Sequence, residues 1–154
     1  MKKQLRSFGF AFEGIYNAIC TEAHLRFHLV SGFYVCLFAY LGEFSLTNWA
    51  VLVLTIGAVI SAELINTAIE DLCDLYTTSK DSRIKRIKDI SAAAVLVVAL
   101  AAAAVAVLLF ILTGSLQTAF TKLISQPLWF IPLGISAVLS VIFIAFCGKK
   151  NTTT

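Results

Sequence analysis

Long stretches of this chain carry no charged side chain: between Arg26 and Glu43, Glu43 and Glu63, Asp89 and Lys122, and Lys122 and Lys149. Apolar runs of about 17–25 residues cross a bilayer as helices. Four spans are therefore predicted, over 27–41, 47–69, 91–112 and 128–147, the first short and dependent on its flanks. Ahead of them Leu5, Phe8, Phe12, Ile15 and Ile19 recur at helical three- and four-residue spacing, with Gln4, Arg6, Glu13 and Asn17 off that stripe. Such a pattern predicts an amphipathic helix over 3–24, lying on a membrane face. The third span is rich in alanine, at 92–94 and 101–104, and small residues let helices approach closely. After Gly114 a polar linker leads to Pro127 and Pro132, which start or bend the last span.

Composition agrees with that reading. The hydrophobic fraction is 59%, against about 45–50% in ordinary globular chains, and the mean hydropathy is +0.89. A soluble domain of this size is excluded, and an all-α integral membrane protein is expected. The first charged residues, Lys2, Lys3 and Arg6, are followed by an apolar stretch that Glu13 interrupts, so no secretory signal is expected. Cys20, Cys36, Cys73 and Cys147 share no metal-binding spacing and sit in or beside apolar segments, where a thiol behaves as a small hydrophobe. Neither disulfides nor a cysteine metal site are expected.

Charge placement sets the topology. Of the twelve Lys and Arg residues, all but Lys122 fall before the first span, between the second and third, or after the fourth. With four spans those three regions share one side, and the positive-inside rule makes it the cytoplasm. Both termini are expected there, in a multi-pass protein of the cell membrane. The net charge of +3 is modest, and no nucleic-acid partner is expected.

The chemistry concentrates in Glu63, Asn66, Glu70 and Asp74, spaced by three, four and four residues within or at the end of the apolar segment 44–75. That spacing places all four on one helical face. An acidic residue at mid-span costs about 2.5–3.5 kcal/mol on insertion scales, so a stripe of them calls for a cation, a metal or held water. Glu70 and Asp74 alone would equally suit a helix end reaching headgroup water. Two further polar groups fall on the same side: Glu22, His24, Arg26 and His28 at the start of the first span, and Lys88-Asp89 before the third. The basic run Arg83, Lys85, Arg86 and Lys88 on its own reads as a solvated loop end. Carboxylates from two helices could hold Mg²⁺, which prefers few protein carboxylates plus waters and phosphates. A lysine could meet phosphate oxygens, and an intramembrane acid could act as base toward a lipid alcohol. No glycine-rich phosphate loop is present. An ion- or proton-coupled transporter would use such residues in a relay, and a noncatalytic subunit would pair them with a partner's cations; both remain open at this point.

Glu63-Leu64-Ile65-Asn66-Thr67-Ala68-Ile69-Glu70 followed by Asp74 resembles the signature of the small prokaryotic diacylglycerol kinases and their undecaprenol kinase relatives. Lys88-Asp89 with Ala93-Ala94-Val95-Leu96, and Gly9, Phe12, Gly14, Glu22, Arg26 and His28, resemble two further family segments, so the likeness covers residues 5–113. It implies an ATP- and Mg²⁺-dependent kinase acting on a membrane lipid alcohol, diacylglycerol or undecaprenol, at the cytoplasmic face. It also implies a surface helix with three membrane helices, assembled as a homotrimer with composite active sites. By this resemblance Glu63 is the acceptor base, and Glu22 and Glu70 are the metal ligands. Asn66 and Lys88 are expected near the phosphates, and Asp74 and Asp89 as nucleotide-side or structural polar contacts. His24, where many relatives have Asn, and Ala92, where some have Ser, depart from the pattern. Residues 1–113 are then the kinase domain, and 114–154 a linker with an extra transmembrane helix.

Overall fold

The computed structural model describes residues 2–76 and 81–146; Lys80, Cys147, Lys149 and Lys150, used in the reading above, lie outside them. The described chain is helical, with no strands. Helix α1 (Lys2–Thr21) is followed by α2 (Ala23–Leu41), α3 (Leu46–Tyr76) and α4 (Ser82–Val107). A π-helical turn, Leu108–Leu112, ends α4; then come α5 (Ser115–Ser125), a short 3₁₀ turn (Pro127–Trp129) and α6 (Phe130–Phe146). Four of these stretches are long and apolar enough to cross a membrane: Ala23–Leu41, Leu46–Tyr76, Ser82–Leu112 and Pro127–Ala145. The expected all-α membrane fold and its four spans are found.

The helix boundaries differ from expectation: α1 ends at Thr21 and α2 already starts at Ala23, and α3 and α4 run past the expected span ends for a physical reason. A span delimited by the absence of charge stops where charges begin, but the helices continue. Helix α3 runs on through Glu70 and Asp74 to Tyr76. Helix α4 starts at Ser82, where the Asp81 carboxylate accepts from the Arg83 backbone N–H at 2.7 Å and caps the first turn. The basic run Arg83–Lys88 is thus the opening of a helix rather than a loop. With 31 residues, α3 is about 46 Å long at 1.5 Å per residue, well beyond the ~30 Å hydrocarbon core. The end of the antiparallel α3–α4 pair, the most extensive contact in the bundle, therefore projects beyond the hydrocarbon.

Residues 115–125, expected as part of a linker, form α5. Leu116, Ala119, Phe120 and Leu123 repeat at helical spacing, and Ala119 and Leu123 bury against Leu41 together with Leu37, Phe38, Trp129 and Leu133. The turn into α5 needs Gly114, whose φ of +74° is left-handed. It also needs Gly42, where a Cβ would stand 2.6 Å from the Ser115 carbonyl oxygen. A second apolar cluster joins Ala39, Phe44, Leu52, Leu109 and Phe110 beside it, with the Phe44 and Phe110 rings 4.7 Å apart. The tightest apolar packing thus gathers at one end of the bundle, and the acidic stripe lies at the other.

Helix α6 leans on α2, in part through Tyr34, whose hydroxyl hydrogen-bonds with Ser136 at 3.1 Å and Ser140 at 3.2 Å. None of its apolar window is buried in the chain. The total accessible surface is 11295 Å², against about 7,600 Å² for a compact soluble monomer of this mass. The excess is apolar side-chain surface for lipid or for neighbouring copies. The alanines of α4 are part of it: those at 92–94, 101, 103 and 104 are exposed, while Ala102 and Ala106 face a crevice within the chain.

Candidate active site

Glu63 lies 17 residues into α3, about 26 Å along the helix from Leu46, near the depth where hydrocarbon gives way to headgroups. Its side chain is 6% exposed. Across from it on α2, His28 Nε2 lies 2.9 Å from Glu63 Oε1. A buried carboxylate without a partner would be strongly disfavoured, and this imidazole is the partner. His28 was legible as part of a polar group, but its pairing with Glu63 joins two helices and left no mark on the sequence.

The rest of the stripe turns toward α4. The Asn66 amide nitrogen donates to Glu70 Oε1 at 2.8 Å, and Asn66 Oδ1 accepts from the Ser91 hydroxyl at 2.7 Å. Ser91 is buried, lies three residues after Lys88, and also bonds the Lys88 carbonyl at 3.0 Å. Sequence reasoning passed over Ser91. Its position one turn beyond Lys88, ahead of a run of alanines, was the available signal. Both functional atoms of Asn66 are thereby committed, which fixes the amide and holds Glu70 in one orientation. One turn further out, Lys88 Nζ donates to Asp74 Oδ1 at 2.5 Å. Asp74 is exposed, so this ion pair is weakened by solvent screening and opens easily.

Glu22 sits at the break between α1 and α2, where its backbone is extended (φ −102°, ψ 113°). As the residue preceding α2, Glu22 makes no side-chain bond to the first turn of that helix. Its half-buried carboxylate is not used for capping. Asp89 is exposed on α4 and is paired with none of the other site residues. The structure thus brings together Glu63 with His28, Asn66 with Glu70 and Ser91, and Asp74 with Lys88; Glu22 and Asp89 stand apart from these pairs. Among the described residues, no three His, Cys, Asp or Glu side chains converge as a ready-made metal cage. Glu70 and Glu22 as separate carboxylates fit Mg²⁺ chemistry, which takes one or two carboxylates and completes its shell with water and phosphate.

Arg26 is buried next to Glu22, and its charge meets helix ends instead of acids. It donates to the Ile19 and Cys20 carbonyls at 2.8 and 3.3 Å, in the last turn of α1, and to the Ile144 carbonyl at 3.2 Å, near the end of α6. The partial negative charge of two helix C-termini stabilises the guanidinium.

Two hollows flank the acidic stripe. One, about 610 Å³, lies between α1 and α3 and includes Gly14, Asn17, Thr21, Thr67 and Asp71. The other is a narrow apolar crevice of about 120 Å³ between α2, α3 and α4, beginning at His28 and continuing past Gly32, Val59 and Ala106. His28, the partner of Glu63, therefore sits at the head of a hydrocarbon slot.

The sequence profile of the family described as prokaryotic diacylglycerol kinase matches residues 9–110. Among curated proteins, the undecaprenol kinase of Bacillus subtilis is 36% identical over 95 residues, which is 62% of this chain and 77% of that protein. The diacylglycerol kinase of a Synechocystis species is 37% identical over 93 residues, 60% of this chain and 53% of that protein. No solved structure is a significant match. The matched segment contains every residue of the stripe and its partners and stops before α5.

Proposed function

Because the chain belongs to the prokaryotic diacylglycerol kinase family and is a lipid kinase, we propose that it transfers the γ-phosphate of ATP to the primary hydroxyl of a membrane lipid alcohol, with Glu63 as the base. The observation that carries this reading is the bond of buried Glu63 to His28, which lines the end of the apolar crevice. The hydrogen bond from His28 occupies Oε1 and leaves Oε2 for the acceptor hydroxyl. The hydroxyl proton passes to Glu63, the acceptor oxygen bonds to the γ-phosphorus, and the β–γ bridging bond breaks to release ADP. Such base catalysis is worth typically 10²–10⁴-fold.

Glu22 and Glu70 are the groups that would hold Mg²⁺, which when bound neutralises charge on the phosphate oxygens. Asn66 fixes Glu70, and Lys88 leaves its exposed partner Asp74 to meet the transferring phosphate. Asp74 and Asp89 serve the nucleotide side, and the hollow between α1 and α3 is of a size that suits a nucleotide. The catalytic part is residues 1–113, with 114–154 as an accessory, and the catalytic end faces the cytoplasm of the cell membrane. A homotrimer is supported by the alanines of α4, which are exposed in one chain and suited to close helix contact with another.

For the acceptor, the narrowness of the crevice favours a single hydrocarbon chain, as in undecaprenol, over the paired chains of diacylglycerol. Radiolabelled phosphate transfer from ATP by the purified protein with Mg²⁺, with the two alcohols offered in parallel, tests both levels. Label in undecaprenol alone is expected; label in diacylglycerol alone would overturn the acceptor, and label in neither the reaction.

A further inference from the structure

The end of the bundle away from the catalytic residues carries a second built feature. A cavity of about 470 Å³ lies where α2, α3 and α5 meet, and Tyr40, Glu43, Trp49, Lys122, Gln126 and Trp129 line it. We propose that it binds the zwitterionic headgroup of a phospholipid ending in a primary ammonium, in the leaflet opposite the catalytic site.

Charge complementarity is the first argument. The site holds one carboxylate and one ammonium, Glu43 Oε1 and Lys122 Nζ, 2.6 Å apart. Both are partly open to the surroundings, and an entering zwitterion exchanges that one ion pair for two. Its phosphodiester takes the Lys122 ammonium, and its own ammonium takes the Glu43 carboxylate, which already accepts from an –NH₃⁺ group. Gln126 adds a donor: its Oε1 accepts from the Trp129 indole N–H at 2.9 Å, which leaves the amide –NH₂ for phosphate oxygens. The rings of Tyr40, Trp49 and Trp129 are surfaces on which a lipid cation gains cation–π attraction.

The backbone supplies the second argument. Glu43 has φ +56°, the one positive-φ residue other than glycine among the described residues. Strained conformations of this kind concentrate at ligand sites, and here the strained residue is the site's carboxylate.

Shape supplies the third. Gln126 and Trp129 are shared with an adjoining hollow of about 630 Å³ bounded by Pro127, Leu128 and Pro132. A polar cavity next to an apolar one matches a headgroup and its acyl chains, whereas a water-soluble zwitterion would fill only the first.

The chain has two tryptophans, and both line this cavity, so selectively excited tryptophan fluorescence reports on it. The full-length protein is reconstituted in phosphatidylcholine bilayers with increasing mole fractions of acyl-brominated phosphatidylethanolamine, phosphatidylglycerol or phosphatidylcholine. Brominated phosphatidylethanolamine is expected to half-quench at about a two- to fivefold lower mole fraction than the other two, the selectivity that one exposed ion pair supplies. Lys122→Gln and, separately, Gln126→Ala should remove the preference. Equal quenching by all three lipids would reduce the site to general lipid contact and overturn the proposal. Stronger quenching by phosphatidylglycerol would overturn it in favour of an anionic lipid, and a preference that survives both variants would overturn the assigned contacts.

Discussion

His28 on α2 and Glu63 on α3 are joined at 2.9 Å across the interior of the bundle, the carboxylate nearly sealed from solvent and the imidazole 22% exposed. The contact engages Oε1 of the carboxylate proposed above as the base. Glu63→Gln is expected to lower turnover by about 10²–10⁴-fold while the protein still folds and assembles. His28→Ala should lower kcat less, by roughly tenfold, with KM for ATP unchanged, because one buried hydrogen bond to a charged group is worth about 1.5–3 kcal/mol and water replaces part of it. His28→Gln, which keeps a donor, should recover part of that loss. Near-normal turnover by Glu63→Gln in the phosphate-transfer assay would remove it from the base role.

Ser91 holds Asn66, and Asn66 holds Glu70. Removing the hydroxyl in Ser91→Ala leaves Asn66 Oδ1 without its donor, which is expected to cost about 1–3 kcal/mol. It should also raise the Mg²⁺ concentration needed for half-maximal activity, since Glu70 loses its fixed neighbour. Thermal unfolding in detergent and a Mg²⁺ titration read the two effects separately. A variant with lowered stability and unchanged Mg²⁺ dependence would make Ser91 structural only.

Glu22→Ala and Glu70→Ala are expected to shift the same Mg²⁺ titration upward or abolish activity. If both variants keep the wild-type Mg²⁺ dependence, the metal is held elsewhere.

Truncation after Thr113 removes α5 and α6 and every contact they make with α2, but no residue of the acidic stripe. The product should retain Mg²⁺-dependent transfer with a lower thermal midpoint, because Leu41 loses Ala119 and Leu123 and Arg26 loses one of its three acceptors. A folded but inactive product would place the fourth span in the catalytic unit.

Acid should act on the opposite end of the bundle. The hydrogen bond from the Lys122 ammonium, with its charge, holds the Glu43 carboxyl below the usual carboxylate range. A depressed folded-state pKa gives stability that is present above the unfolded value, about 4.3 for glutamate, and is lost as the pH falls through the folded value. Lys122→Met should therefore be slightly less stable than wild type at neutral pH, and the difference should fade on acidification below about pH 4.3. A difference in thermal midpoint that persists at pH 2.5, chosen as well below that value, would assign the effect to packing of α5 and not to charge.

Particular residues explain which features the sequence revealed. The four spans were readable because charge is absent from hydrocarbon, and the 63–66–70–74 stripe because acids inside an apolar run stand out. The ends of α3 and α4 were not, because a helix that leaves the bilayer keeps its hydrogen bonds while its composition changes. Helix α5 was masked by its polar residues, although Leu116, Ala119, Phe120 and Leu123 kept a helical period. The partners His28 and Ser91 lie 35 and 25 residues from the groups they bond. A pattern local to one helix cannot report which neighbour it will meet, so their roles waited for the packed bundle.

The Arg26–Ile144 bond joins residues 118 positions apart. A chain made and inserted from its N-terminus holds that guanidinium ready long before the carbonyl that completes its shell exists. Until the last helix enters the membrane, Arg26 has only the end of α1 to bind, and water or lipid phosphate must serve as a temporary third partner. The junction beside Glu22 is thus completed only once α6 has entered the membrane, although its own residues are made long before.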